Sequence, residues 1–296
     1  MGTIAVVAIE NLDANNIAKL MYCFRDALQE HKESLNSLNV YPVPDGDTGS
    51  NMTATLNSVV SEIESLEDPE FENIIEAISH GSLMGARGNS GVIISQILRG
   101  FVSEIKNASK KTIDANLFSD ALRAAASAAY EAVGNPVEGT ILTVVRETAE
   151  AAEKSLLEHS NLLMVVETAR EAAKRSLDST PDLLPVLARA GVVDAGGSGF
   201  LLMLDSLLHV IDDRPMPEPE IVKASVDSLI FDIHDDTTNS GTRYEVMYFL
   251  DAPDDLIPGF KKAWSEIGDS IVVVGGENIW NCHVHTNNIG AAVEAG

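Results

Sequence analysis

Val43-Pro-Asp-Gly-Asp-Thr-Gly-Ser-Asn51 combines glycine with acid and runs into a stretch of helical spacing. Three further segments share this character: Gly85-Ala-Arg-Gly-Asn-Ser-Gly91, Gly134-Asn-Pro-Val-Glu-Gly-Thr140 and Gly191-Val-Val-Asp-Ala-Gly-Gly-Ser-Gly199. Around them the pattern is helical. Leu12, Ile17, Leu20, Met21, Phe24, Leu28 and Leu35 recur on one helix face across 11–38. Similar segments follow at about 51–66, 71–84, 91–106, 115–133, 140–158, 161–177 and 197–211, which makes eight expected helices. The unusual loops join the first to the second, the third to the fourth, the fifth to the sixth and the seventh to the eighth. In an up-and-down bundle with short connections, every second loop lies at the same end. The four loops are therefore expected at one rim, with plain polar turns such as 67–70 at the other.

Asp45-Gly-Asp47 places two carboxylates on one turn, and Gly46 lets both face a single cation. Hard oxygen ligands of this kind suit Mg²⁺, which keeps waters and shares its other positions with substrate phosphates. Thr48, Gly49, Ser50 and Asn51 then enter a helix N-terminus, where free N–H groups and the helix dipole favour an anion. The blander reading is an Asp-Gly turn with an Asp cap. Three more glycine-rich helix starts at the same rim weigh against it. In the second loop Gly85, Gly88 and Gly91 permit close backbone approach, and Asn89 or Ser90 can cap the next helix. An ordinary glycine-capped turn stays open as an alternative there, and equally for Gly139-Thr140 and Gly196-Gly197. No G-x-x-x-x-G-K-[ST] occurs and no G-x-G-x-x-G follows a strand, which excludes P-loop and dinucleotide-binding folds.

The chain has 296 residues, enough for roughly two domains. It is 45% hydrophobic but only 5% aromatic, and is rich in Ala, Leu, Val and Ile, as close-packed helices require. Its 45 acidic against 20 basic residues leave a net charge of −25, which repels nucleic acid and anionic membranes. Bound phosphate must then be neutralised by a metal and by backbone N–H groups. The two cysteines, Cys23 and Cys282, fit a reducing cytoplasm better than a disulfide scaffold. The apolar run 4–9 is too short for a signal or membrane segment, and Met1-Gly2 lacks the Ser or Thr of a myristoylation signal. The expectation is a soluble cytoplasmic protein that is not integral to a membrane.

Asp212-Asp-Arg-Pro-Met-Pro-Glu-Pro-Glu220 cannot continue a helix and is expected to be a linker over 213–220. Beyond it 244–250 and 271–274 are β-branched and aromatic, 279–286 alternates more weakly and 256–267 is helical in pattern. This predicts a small α/β domain over 221–296. A helix start lies just before Gly296, so the chain is expected to be a piece of a longer one. Along the strand over 279–286, His283 and His285 share one face while Cys282 and Val284 share the other, and two imidazoles side by side form half of a zinc site. The alternative is a pair of surface or partner-facing histidines.

The run Asn39-Val-Tyr-Pro-Val-Pro-Asp-Gly-Asp-Thr-Gly-Ser-Asn-Met52 resembles the signature of the L-type dihydroxyacetone-kinase (DAK2) domain. More specifically, it is similar to the family of bacterial fatty acid kinase A-type chains. The second loop, Pro136-Val-Glu-Gly-Thr140 and Ala190-Gly-Val-Val-Asp-Ala-Gly-Gly197 resemble the family's other motifs, in order. The likeness is strong over 1–212 and weaker over 221–296. It implies an eight-helix up-and-down barrel with ATP or ADP and Mg²⁺ at its rim, followed by the small α/β domain. It implies Asp45 and Asp47 as catalytic metal ligands. Where L-type domains add an Asp five residues earlier, this chain has Val40, with Asn39 beside it as a neutral substitute. Thr48, Gly49, Asn51, Ser90, Gly91, Thr140 and Asp194 fall on the nucleotide side. The resemblance also implies a zinc site in the second domain from a matching His-Val-His-Thr, with Glu245 where the family tends to supply a cysteine.

The implied reaction is phosphoryl transfer from ATP to a fatty acid carboxylate presented by a separate fatty-acid-binding protein. Neither the bundle nor its loops offers an apolar tunnel for an acyl chain. Three alternatives stay open: a kinase component acting on a small hydroxy-ketone, a catalytically silent nucleotide-binding scaffold and a metal-dependent phosphate-ester hydrolase. A homodimer stays open as well.

Overall fold

The computed structural model describes residues 9–219, 242–276 and 278–296. The expected domain start near 221, most of the apolar run 4–9 and Met1-Gly2 lie outside the described residues.

Eight long helices carry the first part: α1 (Ala14–Leu38), α2 (Thr48–Glu64), α3 (Phe71–Gly85), α4 (Gly88–Ala108), α5 (Ala115–Ala132), α6 (Ile141–Ser155), α7 (Leu162–Asp178) and α10 (Ala195–Asp212). Two short ones, α8 (Thr180–Leu183) and α9 (Pro185–Ala190), intervene before the last. These two correct the eight-helix expectation. Pro181 and Pro185 each sit in the first turn of a new segment, where the missing N–H is tolerated, so the chain restarts twice. The fourth loop thus joins α9 to α10. Helix α2 also begins three residues earlier than expected, at Thr48, because Asp47 already stands at its N-cap.

Consecutive long helices pack on one another, and α10 packs on both α7 and α1, so the neighbour relations close on themselves. Phe24, Phe118 and Phe200 are fully buried at the centre, each stabilising by about 2–3 kcal/mol. The scarcity of aromatics has a packing reason. Helix α5 buries Ala121, Ala125 and Ala129, and a Cβ on Gly100 of α4 would lie 2.7 Å from Ala124 O. Small residues bring these backbones together. Asp13, Asp114 and Asn161 cap α1, α5 and α7 through their side chains, worth about 1 kcal/mol each.

After α10 the chain turns at Asp213 (φ 58°) and runs without helix or strand to Pro219. This stretch is held down by contacts between His209 Nδ1 and Arg214 O (2.8 Å) and between His31 Nε2 and Pro217 O (3.0 Å).

The second part is a three-stranded antiparallel sheet, β1 (Tyr244–Asp251), β2 (Gly268–Gly276) and β3 (Ile279–Thr286), with β3 in the middle. Helices α11 (Ile257–Ser265) and α12 (Ile289–Ala295) cover one face, where Val246, Val273, Cys282 and Val284 pack with Ile257, Phe260, Trp264 and Ala292. The other face docks on the helical part. There Val272, Val274 and Met247 pack against Leu83, Ala86, Val92 and Ala132, and a single antiparallel bridge joins Val133 to Val272.

Candidate functional site

The four unusual loops converge. The first and second meet where Ser90 Oγ donates to Thr48 O (3.5 Å) and Thr55 Oγ1 to Gly85 O (3.3 Å). The first and fourth meet in an apolar cluster of Leu38, Val40, Leu187, Ala190 and Val192, with Tyr41 and Val137 packed against it. The third and fourth meet at Asp194, whose buried carboxylate accepts from Gly197 N–H at 2.7 Å and from Ile141 N–H.

Asp45 and Asp47 stand at this rim, exposed and half-buried respectively. Each is held by an asparagine. Asn39 Nδ2 donates to Asp45 Oδ1 at 2.6 Å, and Asn51 Nδ2 donates to Asp47 Oδ2 at 2.7 Å. Asp47 occupies the N-cap of α2 yet makes no side-chain cap bond, so its carboxylate faces outward. Burial pushes the Asp45 carboxyl up to about 6, helped by the neighbouring Asp47 carboxylate and opposed by the Asn39 amide. Two crowded carboxylates with neutral supporting amides are a donor set that a divalent cation would relieve, so the residues fit Mg²⁺. Asn39 turns its amide nitrogen to Asp45, because a carboxylate only accepts. Its place here is as a donor that orients Asp45.

Asn51 owes its position to the second loop. Gly88 has φ +56°, and a Cβ there would lie 2.2 Å from Asn51 Nδ2. The first turn of α4 thus runs directly over the amide that holds Asp47.

The remaining expected residues divide by what they touch. Thr48 is buried in the first turn of α2. Ser90 is half-buried in the first turn of α4, beside it. Thr140 caps α6, accepting from Leu142 N–H at 3.4 Å and donating to Val137 O at 2.8 Å. Gly49 and Gly91 are packing glycines: a Cβ would lie 2.3 Å from Lys32 O at Gly49 and 2.7 Å from Thr55 Oγ1 at Gly91. Asp194 is fully buried and engaged with backbone N–H groups, with its carboxyl raised to about 6 by burial. It ties the starts of α6 and α10 together, and its oxygens do not face a ligand.

The docked face of the sheet brings a second group to the same end. Glu245, His283 and His285 have ligand atoms within 4.8 Å of one another. The His rings lie 4.9 Å apart. Glu245 pairs with His285 across β1 and β3, and its Oε1 approaches His283 Nδ1 to 3.0 Å. That approach is off the line a hydrogen bond needs, and both ring nitrogens of the fully buried His283 lack a hydrogen-bond partner. An orphaned buried imidazole is costly unless something binds it, so these residues fit a zinc-class cation. The Asp47 carboxylate is near enough to act on His285. On the same face Asn281 is buried, and Nδ2 donates to Leu83 O (3.2 Å) and Ala86 O (3.5 Å).

No helix among the described residues is long and apolar enough to cross a membrane.

Residues 42–209 match the family described as the DAK2 domain, and 241–296 match the FakA-like middle domain of fatty acid kinases. Protein YloV of Bacillus subtilis (strain 168) is 36% identical over 295 residues, covering 96% of this chain and 53% of its own. An uncharacterized protein of Staphylococcus saprophyticus is 35% identical over 290 residues, covering 95% and 52%. One from Staphylococcus aureus (strain USA300) is 36% identical over 289 residues, covering 91% and 50%. The chain spans about half the length of the curated relatives it matches.

Proposed function

Since the chain belongs to the DAK2-domain family and carries a FakA-like middle domain, we propose that it transfers the γ-phosphoryl group of ATP to a fatty acid carboxylate in the cytoplasm. The observation that carries this reading is the pair Asp45 and Asp47, each aimed by an asparagine amide, beside the glycine-rich start of α4. The circular neighbour relations of the long helices support the eight-helix barrel expected for such a domain.

Asp45 and Asp47 would hold Mg²⁺, which when bound neutralises phosphate charge and bridges the β- and γ-phosphates. The residues do the rest by placement. Asn39 and Asn51 keep both carboxylates turned outward. The N-termini of α2 and α4 offer backbone N–H groups to phosphate oxygens. The acceptor carboxylate oxygen bonds to the γ-phosphorus as its bond to the bridging oxygen breaks. ADP leaves, and the product is an acyl phosphate. Glu245, His283 and His285 would hold a zinc-class ion in the second domain.

The acyl chain would come on a separate binding protein. With a net charge of −25, docking favours a carrier with a basic face and weakens as salt rises. The test measures ADP release and hydroxylamine-trappable acyl phosphate with Mg²⁺ and ATP, the fatty acid being supplied free or on a carrier. Carrier-dependent acyl phosphate supports the reading. ADP release with no acyl product, or with phosphorylated dihydroxyacetone, overturns the acceptor.

A further inference from the structure

Helix α3 ends at Gly85, three residues before α4 begins at Gly88. The last carbonyls of a helix have no partner within it and need one from elsewhere. At the end of α3 two of those nearest the second loop, Leu83 O and Ala86 O, take it from Asn281, a residue of the second domain nearly two hundred positions away in sequence. Asn281 is 2% exposed. Arg87 turns its guanidinium back on the same turn, donating to Ala86 O at 2.9 Å. Val272 and Val274 flank the contact by packing on Leu83, Ala86 and Val92. The loop fixed in this way carries Gly88, which lies against the Asn51 amide that orients Asp47.

From this chain of contacts we infer that Asn281 is a positioning residue for the metal-binding pair: the second domain sets the second loop, and through Gly88 and Asn51 it aims Asp47. The inference rests on the reading of Asp45 and Asp47 as Mg²⁺ ligands. It makes the sheet a working wall of the rim.

The variant Asn281→Leu keeps the size and removes the donor. Two readouts are taken on the full chain. Without nucleotide, hydrogen exchange over 83–91 is expected to speed up about tenfold. With a non-hydrolysable ATP analogue, the Mg²⁺ dissociation constant is expected to rise about tenfold, as for supporting residues behind metal ligands. Both tryptophans, Trp264 and Trp280, lie in the second domain, so their emission reports its fold separately. If Asn281→Leu loses that emission, Asn281→Asp, with the same shape and no donor, is judged by the same readouts. Unchanged exchange over 83–91 in a folded variant overturns the inference, as does faster exchange with unchanged Mg²⁺ affinity. A wild-type chain that binds no analogue defeats the nucleotide reading instead, and the exchange arm still decides whether Asn281 holds the loop.

Discussion

Gly88 and Asn51 stand so close that a Cβ on the glycine would sit 2.2 Å from the asparagine's amide nitrogen. The same nitrogen donates to Asp47 at 2.7 Å. Gly88→Ala therefore meets two obstacles. Its φ of +56° costs a side-chain-bearing residue about 1–2 kcal/mol, and its methyl group displaces Asn51 from Asp47. Mg²⁺ affinity in the presence of nucleotide should fall about tenfold, with a melting temperature a few degrees lower. A magnesium titration beside a thermal melt checks this. Wild-type affinity in the alanine variant would refute the coupling.

Asp45→Asn or Asp47→Asn should abolish turnover and leave the fold intact. The pair is crowded, and the Asp45 carboxyl is raised to about 6 by burial and by the Asp47 charge. Removing one charge removes that repulsion. Without Mg²⁺ the melting temperature of either variant should equal or slightly exceed that of the parent, whereas added Mg²⁺ and ATP should stabilise the parent alone. Turnover near the wild-type rate at saturating Mg²⁺ would sink the assignment.

The rim was legible because its signals are local. Asp45 and Asp47 are two residues apart, and helix starts with glycine and caps announce themselves over a few positions. Local signals do not, however, separate a phosphate glycine from a packing glycine. Gly49 looks like the former, but its missing Cβ makes room for Lys32 O. Asp194 looks like a site acid and is a buried cap. The extra turns α8 and α9 follow from Pro181 and Pro185, signals that the helical periodicity on either side obscured. Asn281 had no signal at all, since its partners Leu83 and Ala86 come within reach only once the sheet has docked.

The burial of Asp194 gives a pH dependence. Its carboxyl is raised from 3.8 to about 6 by desolvation, against three backbone N–H bonds that lower it. The folded state therefore binds this proton more tightly than the unfolded chain does. The stability linked to it is complete below pH 3.8 and is lost as pH rises to about 6. The difference in unfolding free energy between parent and Asp194→Asn should fall by ~3 kcal/mol across that window. Denaturant melts of both proteins at about pH 4 and about pH 7 measure it. Other carboxylates are common to the two and cancel. A difference that does not change with pH would place the Asp194 proton outside the fold's stability.

The last prediction concerns Glu245, His283 and His285. His283 is fully buried with both ring nitrogens lacking a hydrogen bond, an arrangement that costs about 1–3 kcal/mol if nothing occupies it. A bound cation supplies the missing partner and joins β1 to β3 through side chains as well as backbone. Zinc should therefore copurify at a ratio near one per chain, and chelation should lower the melting temperature of the second domain, followed by its tryptophan emission. His283→Ala removes both the metal and the orphan. It should lose zinc without losing the sheet, because Val284 and Cys282 pack on the opposite face with Trp264. Glu245→Gln should weaken zinc by about tenfold or more, since the carboxylate is the charged member of the set. Elemental analysis decides between this and a plain buried histidine pair. Metal-free protein from chelator-free buffers, with a melting curve unmoved by added zinc, would remove the site.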